Sequence, residues 1–198
     1  MTAPIGGAMP RRARVRHDRL TLTCYSVGCC WGFLMYGYSA TMPQLTKSLH
    51  VSKAVAGLHG TMFALGLLIA ALAIAPVVAR TGRRRAMILG LGLGAVGTLA
   101  MALGPTVWIT VPGALLGSIG TQASMAAAMT VLSVHQGPAA GASTAELTMI
   151  GSVLSGCAPA LAALAAALGY GWRPVIALGA LIDVAVALAL WRLPDSPE

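Results

Sequence analysis

Arg80-Thr81-Gly82-Arg83-Arg84-Arg85 is a basic hexamer between two long uncharged runs, and it holds four of the chain's thirteen lysines and arginines. Before it lie the 26 residues from Ala54 to Ala79, none formally charged. After it, His135 is the only acid or base before Glu146. A hydrophobic stretch of about 20 residues crosses a bilayer as a helix. The hexamer therefore reads as a tight turn between two membrane spans, and the side on which it sits orients the rest of the chain.

Composition agrees with that reading. Only 9% of the 198 residues are charged, where a soluble domain of this size would carry about 25%. Most of the surface must then face lipid. The net charge of +8 would fit nucleic acid, but nine of the thirteen basic residues lie in Arg11–Arg19 and Arg80–Arg85, flanking apolar runs. Positive charge placed there reports topology and attraction to anionic head groups, so membrane lipid is the expected partner and nucleic acid is not. Eleven arginines against two lysines, with abundant Ala, Gly and Leu, look like the usage of a GC-rich bacterium. All four cysteines (Cys24, Cys29, Cys30, Cys157) fall inside expected spans without a CxxC spacing, and they read as buried apolar thiols.

The chain divides into a basic tail (1–19), a transmembrane domain (20–192) and a short polar tail (193–198). The expected spans are about 20–42, 55–79, 86–103, 107–134, 142–168 and 175–191. The first uncharged run, Leu20–Thr46, is 27 residues long. That exceeds the roughly 7–15 residues of a signal-peptide core, so it reads as an uncleaved span. With both ends in the cytosol the inner face carries ten basic residues (Arg11, Arg12, Arg14, Arg16, Arg19, Arg80, Arg83, Arg84, Arg85, Arg192). The outer face carries three (Lys47, Lys53, Arg173). The excess of cytosolic charge fixes this orientation, in a bacterial inner membrane. Trp108, Tyr170 and Trp172 would then mark the outer interface and Trp191 the inner one. Gly90, Gly92, Gly94 and Gly97 in the third span and Gly113, Gly117 and Gly120 in the fourth supply small faces on which helices approach closely.

On these residues the layout resembles the N-terminal half of a major facilitator superfamily transporter. The family pattern between spans two and three is Gly, three residues, Asp, Arg or Lys, one residue, Gly, then two basic residues. Arg80, Gly82, Arg83 and Arg84 match it, while Ala75 stands for the first glycine and Ala79 for the aspartate. Met42-Pro43-Gln44-Leu45, Gly171-Trp172-Arg173 and Leu193–Glu198 are similar to the family's exit from helix one, entry to helix six and exit from helix six. Ala158-Pro159 and Ala162-Ala163 stand where antiporter members carry Gly-Pro and Gly-Gly, and the span-four arginine of many proton-coupled members is missing. The resemblance implies an all-α integral membrane fold of six transmembrane helices, built as a 3+3 inverted repeat. It also implies a cytoplasmic turn that latches one half of a carrier against the other, a role that would fall to Arg80, Gly82, Arg83 and Arg84. The family has twelve spans, so the expected partner is a second copy of the chain or a separate second half.

Among the remaining residues, Asp183 is an acid near the middle of span six, a costly position that marks a proton carrier or a structural hydrogen bond. Glu146, near the start of span five, is placed to pair with Arg80 or Arg83, or to favour its own helix dipole. Polar stripes at helical spacing offer a substrate cavity. These run through Tyr25, Cys29 and Tyr36 in span one, Ser118 and Gln122 in span four, and Thr148 and Ser152 in span five. Pro159 removes a backbone donor and is expected to kink span five. Neither a His-Glu-x-x-His metal motif nor a phosphate-cradling glycine loop occurs. No histidine follows His135 to complete a Ser143-based protease. The expectation is thus no enzyme, cofactor or metal, but a half-length secondary carrier of a small organic solute. The alternative is a truncated six-helix protein with a scaffold role.

Overall fold

The computed structural model of the chain describes residues 14–193, so Arg11, Arg12 and the tail beyond Leu193 lie outside the described residues. The described fold is all helical: α1 (Arg19–Ser48), α2 (Lys53–Thr81), α3 (Arg83–Leu103), α4 (Val107–Gln136), α5 (Ala140–Ser155), α6 (Cys157–Ala167) and α7 (Arg173–Arg192). A single 3-10 turn, Gly137–Ala139, joins α4 to α5. Among the described residues four stretches are long and apolar enough to cross a membrane: Lys53–Thr81, Arg83–Leu103, Val107–Ala167 and Arg173–Arg192.

Local chemistry sets the helix ends. Asp18 accepts from the Thr21 amide and Ser52 from the Val55 amide, each satisfying an orphan donor at a helix start. Gly82 closes α2 and opens α3 at φ 78°, a conformation that a side chain would strain, so the arginine hexamer turns within one residue. Gly104 separates α3 from α4, and Gly169 and Gly171 turn the chain at positive φ into α7. Helix α1 runs on through Pro43 to Ser48, six residues past the expected end of the first span. Pro43 is exposed, so the carbonyl left without a partner one turn earlier lies where it can be solvated. Lys47 therefore belongs to the last turn of α1 rather than to a loop. The expected fifth span is two helices meeting at Gly156, three residues before Pro159. The proline ring conflicts with the carbonyl four residues back, at Ser155, and the ladder yields there.

Helices α3 and α4 touch backbone to backbone. A Cβ added at Gly90 would lie 2.8 Å from the Gly120 carbonyl, and one at Gly113 would lie 2.8 Å from the Met101 amide. Additions at Gly97 and Gly120 would strike the Gly117 and Gly94 amides more closely still. The same device joins α1 to α5, where a Cβ on Gly151 would meet the Gly28 carbonyl at 2.9 Å. It also joins α2 to α4, where Gly66 lies against Ser118. Gly92, by contrast, faces open space.

The two ends of the bundle differ in chemistry. At the arginine end, Arg84 closes α7: its Nε donates to the Leu190 carbonyl (3.1 Å) and its Nη2 to those of Leu190 and Trp191 (2.9 Å each) and Leu193. These are carbonyls that a helix end leaves unpaired, at the negative end of its dipole. At the far end, Trp172 is only 2% exposed, so it is a core residue and not the interface marker its position predicted. Its indole N–H donates to Ser48 Oγ at 2.7 Å, and Arg173 reaches the Ala102 carbonyl at 2.8 Å while lying over the same ring. The buried partner for its N–H is what lets the tryptophan leave the interface. Trp108, Tyr170 and Trp191 are exposed as expected. Cys24 and Cys30 are buried, whereas Cys29 is half-buried and Cys157 is exposed.

Gly97→Leu forces two backbones apart and should cost at least about 3 kcal/mol, seen as loss of the folded fraction in detergent. Gly92→Ala should be neutral or slightly stabilising in the same measurement. Arg84→Ala should cost about 2 kcal/mol and increase amide exchange at the end of α7, while Arg84→Lys, a point charge without the planar fork, recovers only part of it.

Candidate functional site

Polar groups that the membrane reading makes costly gather in three places. The first is the arginine end. Arg80, Gly82, Arg83, Arg84 and Arg85 line a cavity of about 940 Å³ whose other walls are Leu20, Val78, Val131, His135 and Trp191. Arg84 has the carbonyl partners already described. Arg83 Nε is buried with no hydrogen-bond partner among the described residues, and Arg80 and Arg85 are exposed. The cavity thus has a strongly basic rim and apolar walls, chemistry suited to an anionic or amphiphilic group.

Glu146 is not at that rim. Its Oε2 accepts from the Tyr25 hydroxyl at 2.7 Å and from His17 Nε2 at 2.8 Å, so its partners are on α1 and the segment before it rather than Arg80 or Arg83. Ser143 adds a contact to the Tyr25 hydroxyl at 3.3 Å. Nearby, Asp18 Oδ2 accepts from His135 Nε2 at 2.6 Å. Gln136 accepts from the Arg16 amide (2.9 Å) and donates to the Arg16 carbonyl (2.8 Å) and to Thr21 Oγ1 (2.7 Å). Burial alone would raise the Asp18 carboxyl. The Thr21 amide, the His135 imidazole and the Thr21 hydroxyl outweigh it and hold the group below the ordinary carboxylate range.

The second place is the contact of α1 with α4. Trp31 Nε1 donates to Gln122 Oε1 at 2.8 Å, and both side chains are half-buried. The amide is thereby oriented, with its N–H donors left for another partner. Sequence stripes found Gln122 but passed over Trp31, because the spacing chosen on span one ran through Tyr25, Cys29 and Tyr36. The available signal was a tryptophan in mid-span, away from the interface where its ring usually rests, which needs a partner for its N–H. The other cavity candidates are scattered. Tyr25 is buried against Glu146. Ser118 is buried against α2 and bonds the Leu115 carbonyl of its own helix at 2.9 Å. Cys29 is half-buried, Tyr36 is exposed, and Thr148 and Ser152 lie on the exposed face of α5.

The third is Asp183, which is 2% exposed on α7 and within hydrogen-bonding reach of the Cys30 thiol on α1. Gly94 of α3 packs beside it, where a Cβ would come within 3.2 Å of its Oδ2. The acid is enclosed by three helices and has a partner within the chain, as an ionisable group at that depth requires. Among the described residues no group of three or more His, Cys, Asp or Glu is placed to hold a metal ion.

Comparison with known proteins gives this arrangement its relatives. No curated protein matches the chain. The crystal structure of a D-xylose-proton symporter overlays it with a TM-score of 0.72 at 19% identity, covering 90% of this chain and 48% of the symporter's. The chain therefore spans about half the length of that structure, and at this identity the likeness is one of fold. The family model for the Major Facilitator Superfamily matches residues 24–198. That match takes in all three polar places and every helix but the first turns of α1. By it the chain belongs to the Major Facilitator Superfamily, a family of transporters rather than enzymes.

Proposed function

We propose that the chain is a half-length secondary carrier of a small organic solute. It crosses a bacterial inner membrane six times, α5 and α6 together forming one kinked crossing, with both ends in the cytosol. It works by alternating access against a second six-helix half, supplied by another copy or a separate chain. The single observation that carries this is the fold overlay, in which nearly the whole chain lies on about half of a symporter. Rocking of two such units around a site at their midplane is the general means by which carriers built of repeats expose a solute to one side at a time.

The arginine end supports the orientation, since the described cations Arg80, Arg83, Arg84 and Arg85 share one cavity mouth with the start of α1 and the end of α7. Arg80, Gly82, Arg83 and Arg84 serve as the cytoplasmic latch in this scheme. With Ala79 in place of an acid, and Arg84 engaged by the carbonyls that end α7 of the same half, Arg80 and Arg83 are the cations this scheme turns toward the second half. The solute meets Gln122, whose amide Trp31 orients. Cys29, Tyr36, Thr148 and Ser152 are further contacts only where the second half encloses them. Asp183, enclosed with Cys30, is the candidate proton acceptor on this half.

Purified protein in proteoliposomes should accumulate or release a member of a broad panel of small solutes, and native mass measurement in lipid should find two six-helix units per particle. Gln122→Ala should lower the initial rate about tenfold, the equivalent of one hydrogen bond of about 1.4 kcal/mol. Trp31→Phe should lower it less, since the ring is kept and only the orienting N–H is lost. Asp183→Asn should uncouple flux from a proton gradient. A monomeric particle that moves no solute would overturn the carrier reading in favour of a scaffold.

A further inference from the structure

Three cations at the arginine-lined cavity have no counter-charge among the described residues. Arg80, Arg83 and Arg85 open on a space of about 940 Å³, and none of them meets a described carboxylate. The described acids are engaged elsewhere: Asp18 with His135, Glu146 with His17 and Tyr25, and Asp183 with Cys30. The Arg83 Nε–H is enclosed with no acceptor among the described residues. A buried charged donor left unpaired is costly, so an oxyanion at that point is stabilised. Helix α3 begins at the same cavity with no side chain capping its first amides, and its dipole adds positive potential there. We propose that this cavity is a discrete binding site for the phosphate head group of an anionic phospholipid, clasped by Arg80, Arg83 and Arg85.

The cations select phosphate. A guanidinium is a planar fork that matches two phosphate oxygens at once, and three of them answer a group with several oxygens better than a carboxylate with two. The walls select an amphiphile. Val78, Val131 and Val134 line the space beside the arginines. Trp191 lines it too and is 70% exposed, as an indole resting at head-group level would be. The volume is that of a small-molecule site and exceeds what inorganic phosphate alone would fill. Basic pockets between membrane-spanning helices are places where anionic head groups lodge. Arg84 stays outside the clasp, since its guanidinium already closes α7. Such a site has a stoichiometry, unlike the diffuse attraction of any basic segment to an anionic leaflet.

The site needs the arginine end to reach a leaflet and does not need the chain to carry solute. On the carrier reading Arg80 and Arg83 also face the second half. Head group and second half then compete for them, and lipid occupies the cavity while the halves are apart. Loss of lipid binding would leave the carrier reading standing, and a chain that moves no solute would leave the lipid site standing.

Native mass spectrometry of the full chain released from nanodiscs tests the site, with phosphatidylcholine as bulk lipid and phosphatidylglycerol titrated in. One phosphatidylglycerol per chain should be retained in preference to phosphatidylcholine. Arg80→Gln with Arg85→Gln, both exposed positions, should weaken that retention by at least about tenfold, and adding Arg83→Gln should weaken it further. Near-ultraviolet circular dichroism should stay unchanged as the check on folding. Arg14→Gln, Arg16→Gln and Arg19→Gln together remove as much charge ahead of α1 and should alter retention by less than about threefold, because exposed charges act diffusely and are screened. Dihexanoyl phosphatidylglycerol in solution should displace the bound lipid, and inorganic phosphate at the same concentration should not. Displacement by both alike would assign the cavity to soluble phosphate and overturn the lipid site. Retention no better than that of phosphatidylcholine would overturn it too, as would equal losses in the two sets of arginine variants. Retention gained only on Asp195→Asn with Glu198→Gln would give the cavity to the chain's own tail instead.

Discussion

The close approach of α3 and α4 is the constraint on which the rest of the bundle depends. Lipid tails are as apolar as leucine, so burying hydrophobic side chains gives helices little reason to associate inside a bilayer. What remains is dispersion and close fit. Glycine on both facing stripes, Gly90, Gly94 and Gly97 against Gly113, Gly117 and Gly120, brings the two backbones into direct contact. Each atom pair gains only about 0.1–0.2 kcal/mol, so the gain comes from number and fit rather than from any one residue. Around this pair the other helices add on smaller versions of the same contact, at Gly28 and Gly151 and at Gly66.

Hydrogen bonds then serve to finish ends, and they do so with groups a lipid environment would otherwise penalise. Arg84 satisfies the carbonyls at the end of α7, Trp172 and Arg173 join the far ends of α1, α3 and α7, and Gln136 holds the backbone ahead of α1. Polar side chains in mid-helix mostly bond their own helix one turn back, as Thr41, Thr121 and Ser124 do. Trp31 with Gln122, Ser155 with the Cys29 carbonyl and Asp183 with Cys30 are among the pairs that reach between helices.

Much of this was legible in the sequence for a physical reason. Charge and its absence read directly as water and lipid, so the arginine turn and the helical class follow from where charges fall. Facing glycines were legible because they have few other uses in a span. Side-chain partners were not. Glu146 could be placed near the arginine end, but its pairing with His17 depends on a segment outside the apolar runs, which carries no periodic signal. Trp172 resembled an interface residue because amphipathic rings usually rest there, and only a hydroxyl supplied 124 positions away reverses that preference. The candidate cavity stripes mixed inward and outward residues, since in a chain this rich in Ala and Gly a polar period does not say which neighbour it faces.

The basic cavity follows from the way α2 is fastened. Its contacts are concentrated in the far half: Phe63 stacks on Tyr38 with centroids 4.9 Å apart, His59 bonds Thr110 at 2.8 Å, and Gly66 lies on α4. Beyond Ala70 no residue of α2 is buried, and Pro76 removes a donor from its own ladder. With neither a glycine contact nor a buried residue there, the last third of α2 meets the bundle through the half-buried Ile74 and Val78, which pack against its core, and Val78 to Arg80 line the open space with Val131 and His135. The turn at Gly82 and the Arg84 clasp then fix the other side of that opening to α3 and α7. The segment 14–18 lies beside that opening, where Asp18 bonds His135 and the Arg16 carbonyl bonds Gln136 of α4.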